Sequence, residues 1–441
     1  MRGPSLGKKS NARWWVLFLL CLMYLICFAD RVIISVVAPL ISKEFGFDKV
    51  TMGYIFSAFV SAYAVGQIPG GWLGDRFGPR KVLSFIVTFW SLMTIATGRA
   101  FNFLSFVVIR FVFGFTEGGA YPTATRAMQL WYTKAERGLV QGLTHGASRV
   151  GGAIVAPVAV TILSIWGWRA VFNVFGVIGI LWAILFYCVY RDRPEDNKWV
   201  NEAELAHIRG GDSEGQIRPH GERKSKTVVP WKSLLSSPNL WYVVGPWVCW
   251  NYAIYFFLTW LPVYLIEYRH FPLKSIAIFA SLPLFAGALG DAVGGVVTDA
   301  VYRLTKRLKF ARRAIAVPAL LAAAGLMIPA ATTTNPYIAV WCLVAAQFFL
   351  ECVQGPQWSL PMDVGGEFSG TVSGIMNGCG NMAGALSPIV FGFLVQRGMW
   401  QAPFFVTATI LLIGATIWIF LTDPNKQVAV KQDVESALTT V

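Results

Sequence analysis

Gly71-Trp72-Leu73-Gly74-Asp75 decides the fold, because the chain writes it twice. Gly295-Val296-Val297-Thr298-Asp299 repeats the Gly-x-x-x-Asp pattern 224 residues later. Each copy closes an apolar run and opens a basic loop. A second pair follows the same logic. Gly146-Ala147-Ser148-Arg149-Val150-Gly151-Gly152 leads to Pro157, and Gly378-Cys379-Gly380-Asn381-Met382-Ala383-Gly384 leads to Pro388. Small residues in such runs let helices approach closely where lipid offers no hydrophobic drive for association. Two similar halves joined by one long polar segment are the arrangement of a carrier built from parallel repeats.

Composition sets the solvent. Of 441 residues, 55% are apolar and 14% charged, and the mean hydropathy is +0.55. An average soluble protein carries about 25% charged residues, so so few charges cannot clothe a soluble surface. A hydrocarbon layer about 30 Å thick takes roughly 20 apolar residues per helix. The apolar runs give twelve candidate spans, near 14–37, 50–72, 82–98, 101–125, 138–165, 169–190, 241–266, 275–298, 313–332, 336–358, 368–394 and 399–421. The expected fold is an all-α membrane protein of two six-helix bundles, 1–190 and 241–421. A cytoplasmic linker at 191–240 and a tail at 422–441 complete the chain.

The net charge of +14 could suggest nucleic acid, but its placement decides otherwise. With both termini cytoplasmic, the inner segments hold 27 of the 37 Lys and Arg and the outer loops hold 7. That bias retains a topology, so no nucleic-acid partner is expected. The first run is too long, and lacks a small-residue cleavage site, to be a removed leader. All seven cysteines lie in apolar runs without a Cys-x-x-Cys pair, and read as reduced packing residues. No metal, cofactor or nucleophile motif occurs, so no metal or cofactor and no enzymatic activity are expected.

Charges within spans are costly, at least about 2.5–3.5 kcal/mol each, and face a bundle interior. Seven such residues occur: Asp30, Arg31, Arg110, Glu117, Arg149, Asp291 and Glu351. At 1.5 Å per residue, Asp30 and Arg110 lie about 10 and 13 Å from the outer ends of their spans, at levels that allow pairing. Glu117 lies about 10 Å further in on the face of Arg110. Its apolar neighbours and its distance from Arg110 suit a carboxyl that takes up a proton, so Asp30, Glu117 and Arg110 form the expected proton-coupling group. Arg31 and Arg149 are the expected anion anchors, because a guanidinium fork holds a carboxylate bidentately. Ser148 adjoins Arg149; Asn251 and Tyr255 lie one turn apart; Tyr63 and Gln67 share a helix face. Amides and hydroxyls between aromatic walls suit a polyol chain.

The stretch Gly70-Gly71-Trp72-Leu73-Gly74-Asp75-Arg76-Phe77-Gly78-Pro79-Arg80-Lys81 resembles the loop 2–3 signature of the major facilitator superfamily. Phe28-Ala29-Asp30-Arg31, Met52 to Trp72, Gly114-Phe115-Thr116-Glu117-Gly118-Gly119-Ala120-Tyr121-Pro122 and Phe256-Phe257-Leu258-Thr259-Trp260-Leu261-Pro262 narrow the likeness. Together they are similar to the anion:cation symporter branch, and within it to bacterial permeases for galactonate, glucarate and hexuronates. The resemblance runs from about residue 13 to 420. It implies a gate at Gly71, Asp75, Arg76, Gly78 and Asp299, where an acid bonds a neighbouring helix N-terminus or an arginine across the bundle interface. It implies protonation at Asp30 and Glu117, and substrate contacts at or beside Tyr63, Tyr255, Gln357 and Asn377. Two departures stand out. Phe28 replaces a tyrosine of some relatives, and Arg149 stands where related permeases hold an uncharged residue. A second carboxylate, a smaller acid or a replaced pairing partner would each account for Arg149.

The resulting expectation is a monomeric inner-membrane symporter cotransporting protons with a small organic anion, a sugar acid, by alternating access. An aromatic or dicarboxylic acid carrier and Na⁺ coupling are the alternatives. A ligand sensor without flux is disfavoured because the chain leaves no room for a signalling domain.

Overall fold

The computed structural model describes residues 9–210, 229–261, 264–271, 282–384 and 386–428. Among these the ordered elements are helices, without a strand. The first run is α1 (Ala12–Phe45), α2 (Lys49–Phe77), α3 (Pro79–Thr97), α4 (Phe103–Gly118), α5 (Ala120–Trp131), α6 (Arg137–Trp166), α7 (Trp168–Val189) and α8 (Glu202–Gly210). The second is α9 (Trp231–Ser236), α10 (Pro238–Thr259), α11 (Leu282–Thr305), α12 (Leu308–Thr332), α13 (Pro336–Cys352), α14 (Gln354–Val364), α15 (Ser369–Gly384), α16 (Leu386–Gln396) and α17 (Ala402–Phe420).

Local chemistry sets the helix ends. Asp48 accepts the Thr51 N–H at 2.7 Å to start α2, and Asn102 and Ser105 form a reciprocal capping box at α4. Gly78 carries φ +86° between α2 and α3, and a Cβ there would also meet the Asp192 carboxylate. That carboxylate takes the Arg80 N–H at 2.9 Å, so only glycine fits the turn. The runs read as single spans at 101–125 and 336–358 are each two helices. Pro122 and Pro356 lack the N–H that would continue the ladder to residues 118 and 352, and both helices break there. Gly118 to Cys352 and Pro122 to Pro356 are the same step of 234 residues, so the repeat extends to the interruptions.

Eight helical stretches among the described residues are long and apolar enough to cross a membrane. The expected spans at 50–72, 82–98, 241–266 and 275–298 fall on α2, α3, α10 and α11, which are not among the eight. Glycines dilute α2, which carries Gly53, Gly66, Gly70, Gly71 and Gly74, whereas α3 opens on Arg80 and Lys81, and α10 is rich in Asn, Trp and Tyr. Span 275–298 is described only from Leu282, and both chain termini lie outside the described residues.

The chain forms two compact units. The first comprises residues 1–137, 147–229 and 367–374, and the second 138–146, 230–366 and 375–441. They differ from the halves read from the sequence by the exchange of residues 138–146 and 367–374, and the linker through residue 229 groups with the first unit.

In the first unit, α2 crosses α4 and α5 on a seam of small residues. A Cβ on Gly66 would strike the Phe115 carbonyl, one on Gly70 the Cα of Gly119, and one on Gly74 the Thr123 side chain. The second unit repeats this seam: Gly290 faces the Phe348 carbonyl, and Gly294 faces Cys352. Backbones this close cannot admit a side chain, so Gly70→Leu should destabilise the protein by about 1–3 kcal/mol. Thermal unfolding in detergent would register the loss, and an unchanged midpoint would contradict the packing.

The amino-terminal end of α1 is tied down by α8. Glu204 is fully buried. It accepts the Ala12 and Arg13 N–H groups at 3.2 Å and the Ser10 hydroxyl, capping α1 from 190 residues away. Glu136 pairs with Arg13 at 3.4 Å and meets His207 at 3.2 Å. Beyond Arg31 the other end of α1 is sealed by Ile33, Ile34, Val37 and Ile41 packed among Phe106, Trp168 and Phe172.

Candidate functional site

Within the first unit the charged residues of α1 and α4 meet. Arg31 Nε donates to Glu117 Oε1 at 2.7 Å, and the guanidinium lies 4.2 Å from the Tyr63 ring centre and 5.3 Å from that of Tyr121. The Cys27 thiol donates to the same Oε1 at 2.7 Å. Glu117 is fully buried, and its Oε2 has no hydrogen-bond partner among the described residues. Arg31 keeps 19% of its side chain exposed, so it is the member of the group that a solute reaches first.

The expected Asp30–Arg110 pairing does not form. Both residues are buried, but Asp30 Oδ2 accepts the Trp90 indole N–H at 3.1 Å. Arg110 lies instead over Phe113 and Phe59, 4.6 and 4.8 Å from their ring centres. Successive helical residues point about 100° apart, so with Arg31 turned to Glu117, its neighbour Asp30 turns to α3. A match in depth along the axis does not fix direction around it. Trp90 went unnoticed because a tryptophan in an apolar run reads as packing; a buried indole N–H, however, requires an acceptor. On α6, Ser148 is buried and Arg149 half-buried. Gly151 and Gly152 of that helix lie against Leu25 and Phe28 of α1.

The second unit holds an amide and indole chain. Asn377 Oδ1 accepts from Trp247 Nε1 at 3.3 Å and from Asn381 Nδ2 at 3.1 Å, and the Tyr255 hydroxyl donates to Asn381 Oδ1 at 3.2 Å. Trp247 and Asn381 escaped the sequence reading, although Asn381 lies one turn from Asn377. Asn251 is tied to the Trp247 carbonyl at 2.9 Å. Gln357 is fully buried, and its amide nitrogen serves the Val243 carbonyl at 2.9 Å, which leaves Oε1 as its unpartnered atom.

The repeated acids do the same work in each unit. Asp75 accepts the Gly370 N–H at 3.0 Å and the Thr371 N–H at 2.6 Å, in the first turn of α15. The Thr371 hydroxyl adds a bond at 2.7 Å, and Arg126 stands 3.7 Å away. Gly71 makes room, since a Cβ there would strike the Gly370 carbonyl. Asp299 accepts the Gly138 and Leu139 N–H groups at 3.1 and 2.6 Å, in the first turn of α6. Arg312 bridges it to Asp363, at 3.2 and 3.1 Å. A carboxylate at a helix N-terminus meets both free N–H groups and the positive end of the dipole. Arg76 takes no part: it is exposed and lies over Trp72 and Phe77, 5.2 and 5.4 Å from their ring centres.

Long apolar helices that bury paired charges around a partly exposed arginine suit a multi-pass membrane transporter. The chain belongs to the Major Facilitator Superfamily, whose sequence model matches residues 20–388. The probable sulfoacetate transporter of Cupriavidus necator is 41% identical over 417 residues, covering 94% of this chain and 95% of its own. The D-galactonate transporter of Escherichia coli is 32% identical over 428 residues, covering 96% and 98%. Among solved structures, the proton:xylose symporter bound to 6-bromo-6-deoxy-D-glucose superposes with a TM-score of 0.73 over 97% of this chain and 99% of its own. At 14% identity that likeness concerns the fold alone.

Proposed function

We propose that this chain is a proton-coupled symporter of a small organic anion. It spans a bacterial inner membrane twelve times with both ends cytoplasmic, and works as a monomer by alternating access. The eight apolar stretches together with α2, α3, α10 and α11 supply the twelve spans. The observation that carries the reading is the Arg31–Glu117 pair at 2.7 Å. An anionic group of the solute competes with Glu117 for the Arg31 fork. Once released, Glu117 takes up the proton that travels with the substrate. Substrate and proton then travel together, and Asp30, held by Trp90, is the second protonatable group.

For the solute, a compact acid with two anionic groups, as in sulfoacetate, suits the chain best. Arg149, on the helix whose Gly151 and Gly152 pack against α1, offers a second cation, and the 41% relative carries that name. A sugar acid is the second reading. The Tyr255, Asn377 and Asn381 chain supplies hydroxyl-reading groups for it, and the 32% relative is named for such a substrate. Purified protein in liposomes under an inward proton gradient should accumulate the acid and lose it on addition of a protonophore. Accumulation that follows a Na⁺ gradient would overturn the coupling. A thermal-shift panel of sulfonated acids, sugar acids, dicarboxylates and aromatic acids separates the substrate readings.

We also assign Asp75 and Asp299 a latch role, each holding the first turn of a helix until the transporter reopens. Asp75→Asn replaces an acceptor with a donor facing N–H groups. Charged hydrogen bonds are each worth about 1.5–3 kcal/mol, so initial uptake should fall about tenfold or more. Uptake at the parental rate would remove the latch.

A further inference from the structure

Cys27 lies one turn from Arg31 on α1, so both side chains leave the same face of the helix and meet Glu117 of α4. The thiol donates to Glu117 Oε1 at 2.7 Å, Arg31 Nε donates to the same oxygen at 2.7 Å, and the guanidinium NH2 lies 3.5 Å from the sulfur. Cys27 and Glu117 are sealed from solvent, and Arg31 is open over 19% of its side chain. One turn further, Tyr24 stacks on Tyr121 of α5 with ring centres 4.3 Å apart, which packs α1 against α5 at this level. Oε2 of Glu117 is buried and has no hydrogen-bond partner among the described residues.

We infer that Cys27 is a positioning residue for coupling: its thiol keeps Glu117 Oε1 in place when Arg31 leaves for the substrate, so that Oε2 is the atom that receives the proton. This rests on the reading of Glu117 as the coupling carboxyl. Arg31 is the long, accessible partner and can follow an anion. Cys27 is short and enclosed, so it has nowhere else to go. With one donor retained, the freed carboxyl keeps its rotamer, and the buried Oε2 stays aimed where the proton arrives. The thiol keeps its own hydrogen throughout, and the proton taken up comes from bulk water. A thiol suits the post better than a hydroxyl does, because a serine within a helix turns back to the carbonyl four residues earlier, here that of Met23. Sulfur is a weak donor to backbone, and its longer bond reaches across to α4.

Two measurements test this. In liposomes, Cys27→Ala should lower proton-driven accumulation about fivefold, as fits a weak donor, and Cys27→Ser should restore only part of the loss, because its hydroxyl is drawn to the Met23 carbonyl. In infrared spectra, the difference between the parent and Cys27→Ala isolates the S–H stretching band of this thiol. Glu117→Gln should move that band, because its acceptor changes from a carboxylate to an amide. Parental accumulation by Cys27→Ala, or a band that stays in place in Glu117→Gln, would overturn the inference. The two claims fail separately. Full accumulation by Glu117→Gln removes the coupling reading itself. Its loss in Glu117→Gln together with parental accumulation by Cys27→Ala removes only the role of the thiol.

Discussion

Glu117→Gln should convert the transporter from an accumulator into an exchanger. The amide has the shape of the acid, so Cys27 and Arg31 keep a carbonyl oxygen to bond, at the distances now held by Oε1. It carries no charge and takes no proton. Arg31 is then freed at lower cost for the solute, while the proton loses its carrier. Liposomes loaded with unlabelled substrate should still trade it for label, within about threefold of the parent. Under an imposed proton gradient the internal concentration should not rise above the external one. Each unit of pH gradient is worth about 1.4 kcal/mol per proton, so the parent has a clear tenfold margin over such a variant for a one-proton cycle. Gradient-driven accumulation by Glu117→Gln at the parental level would end the proposed role.

Arg31→Ala has the second large effect, and it has two parts. Binding loses its anchor. Removing one partner of a desolvated charge pair costs about 2–5 kcal/mol, so affinity measured by calorimetry should drop at least about thirtyfold. Stability also suffers, because Glu117 is fully buried and would retain Cys27 as its remaining donor. An uncompensated buried charge costs about 3–5 kcal/mol. The double variant Arg31→Ala with Glu117→Gln separates these parts. It should regain most of the thermal stability and none of the affinity. If Arg31→Ala binds substrate as tightly as the parent, the anchor lies elsewhere, and Arg149 becomes the first alternative.

The sequence made the charges of this site conspicuous, since Asp30, Arg31, Arg110 and Glu117 interrupt apolar helices where a charge is expensive. It did not tell which of them meet. Counting residues gives depth only coarsely: Glu117, read as lying about 10 Å inside Arg110, meets both Arg31 and Cys27. Pairing depends on rotation about each axis, and neighbours such as Asp30 and Arg31 diverge by about 100°. That divergence sends one to Trp90 and the other to Glu117. The repeat was readable from Gly71, Asp75, Gly295 and Asp299, because close packing and helix capping both demand specific residue types. Trp90, Trp247 and Cys27 were opaque for the opposite reason. Each is also an ordinary packing residue, and its polar role is conferred by a neighbour distant in sequence.

The capping of α1 by Glu204 has a practical side. A reporter or affinity handle fused just ahead of Lys9 would crowd the seat that α8 occupies on Ser10, Ala12 and Arg13. An engineer who wants an undisturbed carrier should therefore treat the first turn of α1 as an installed part, and insert a generous spacer ahead of it.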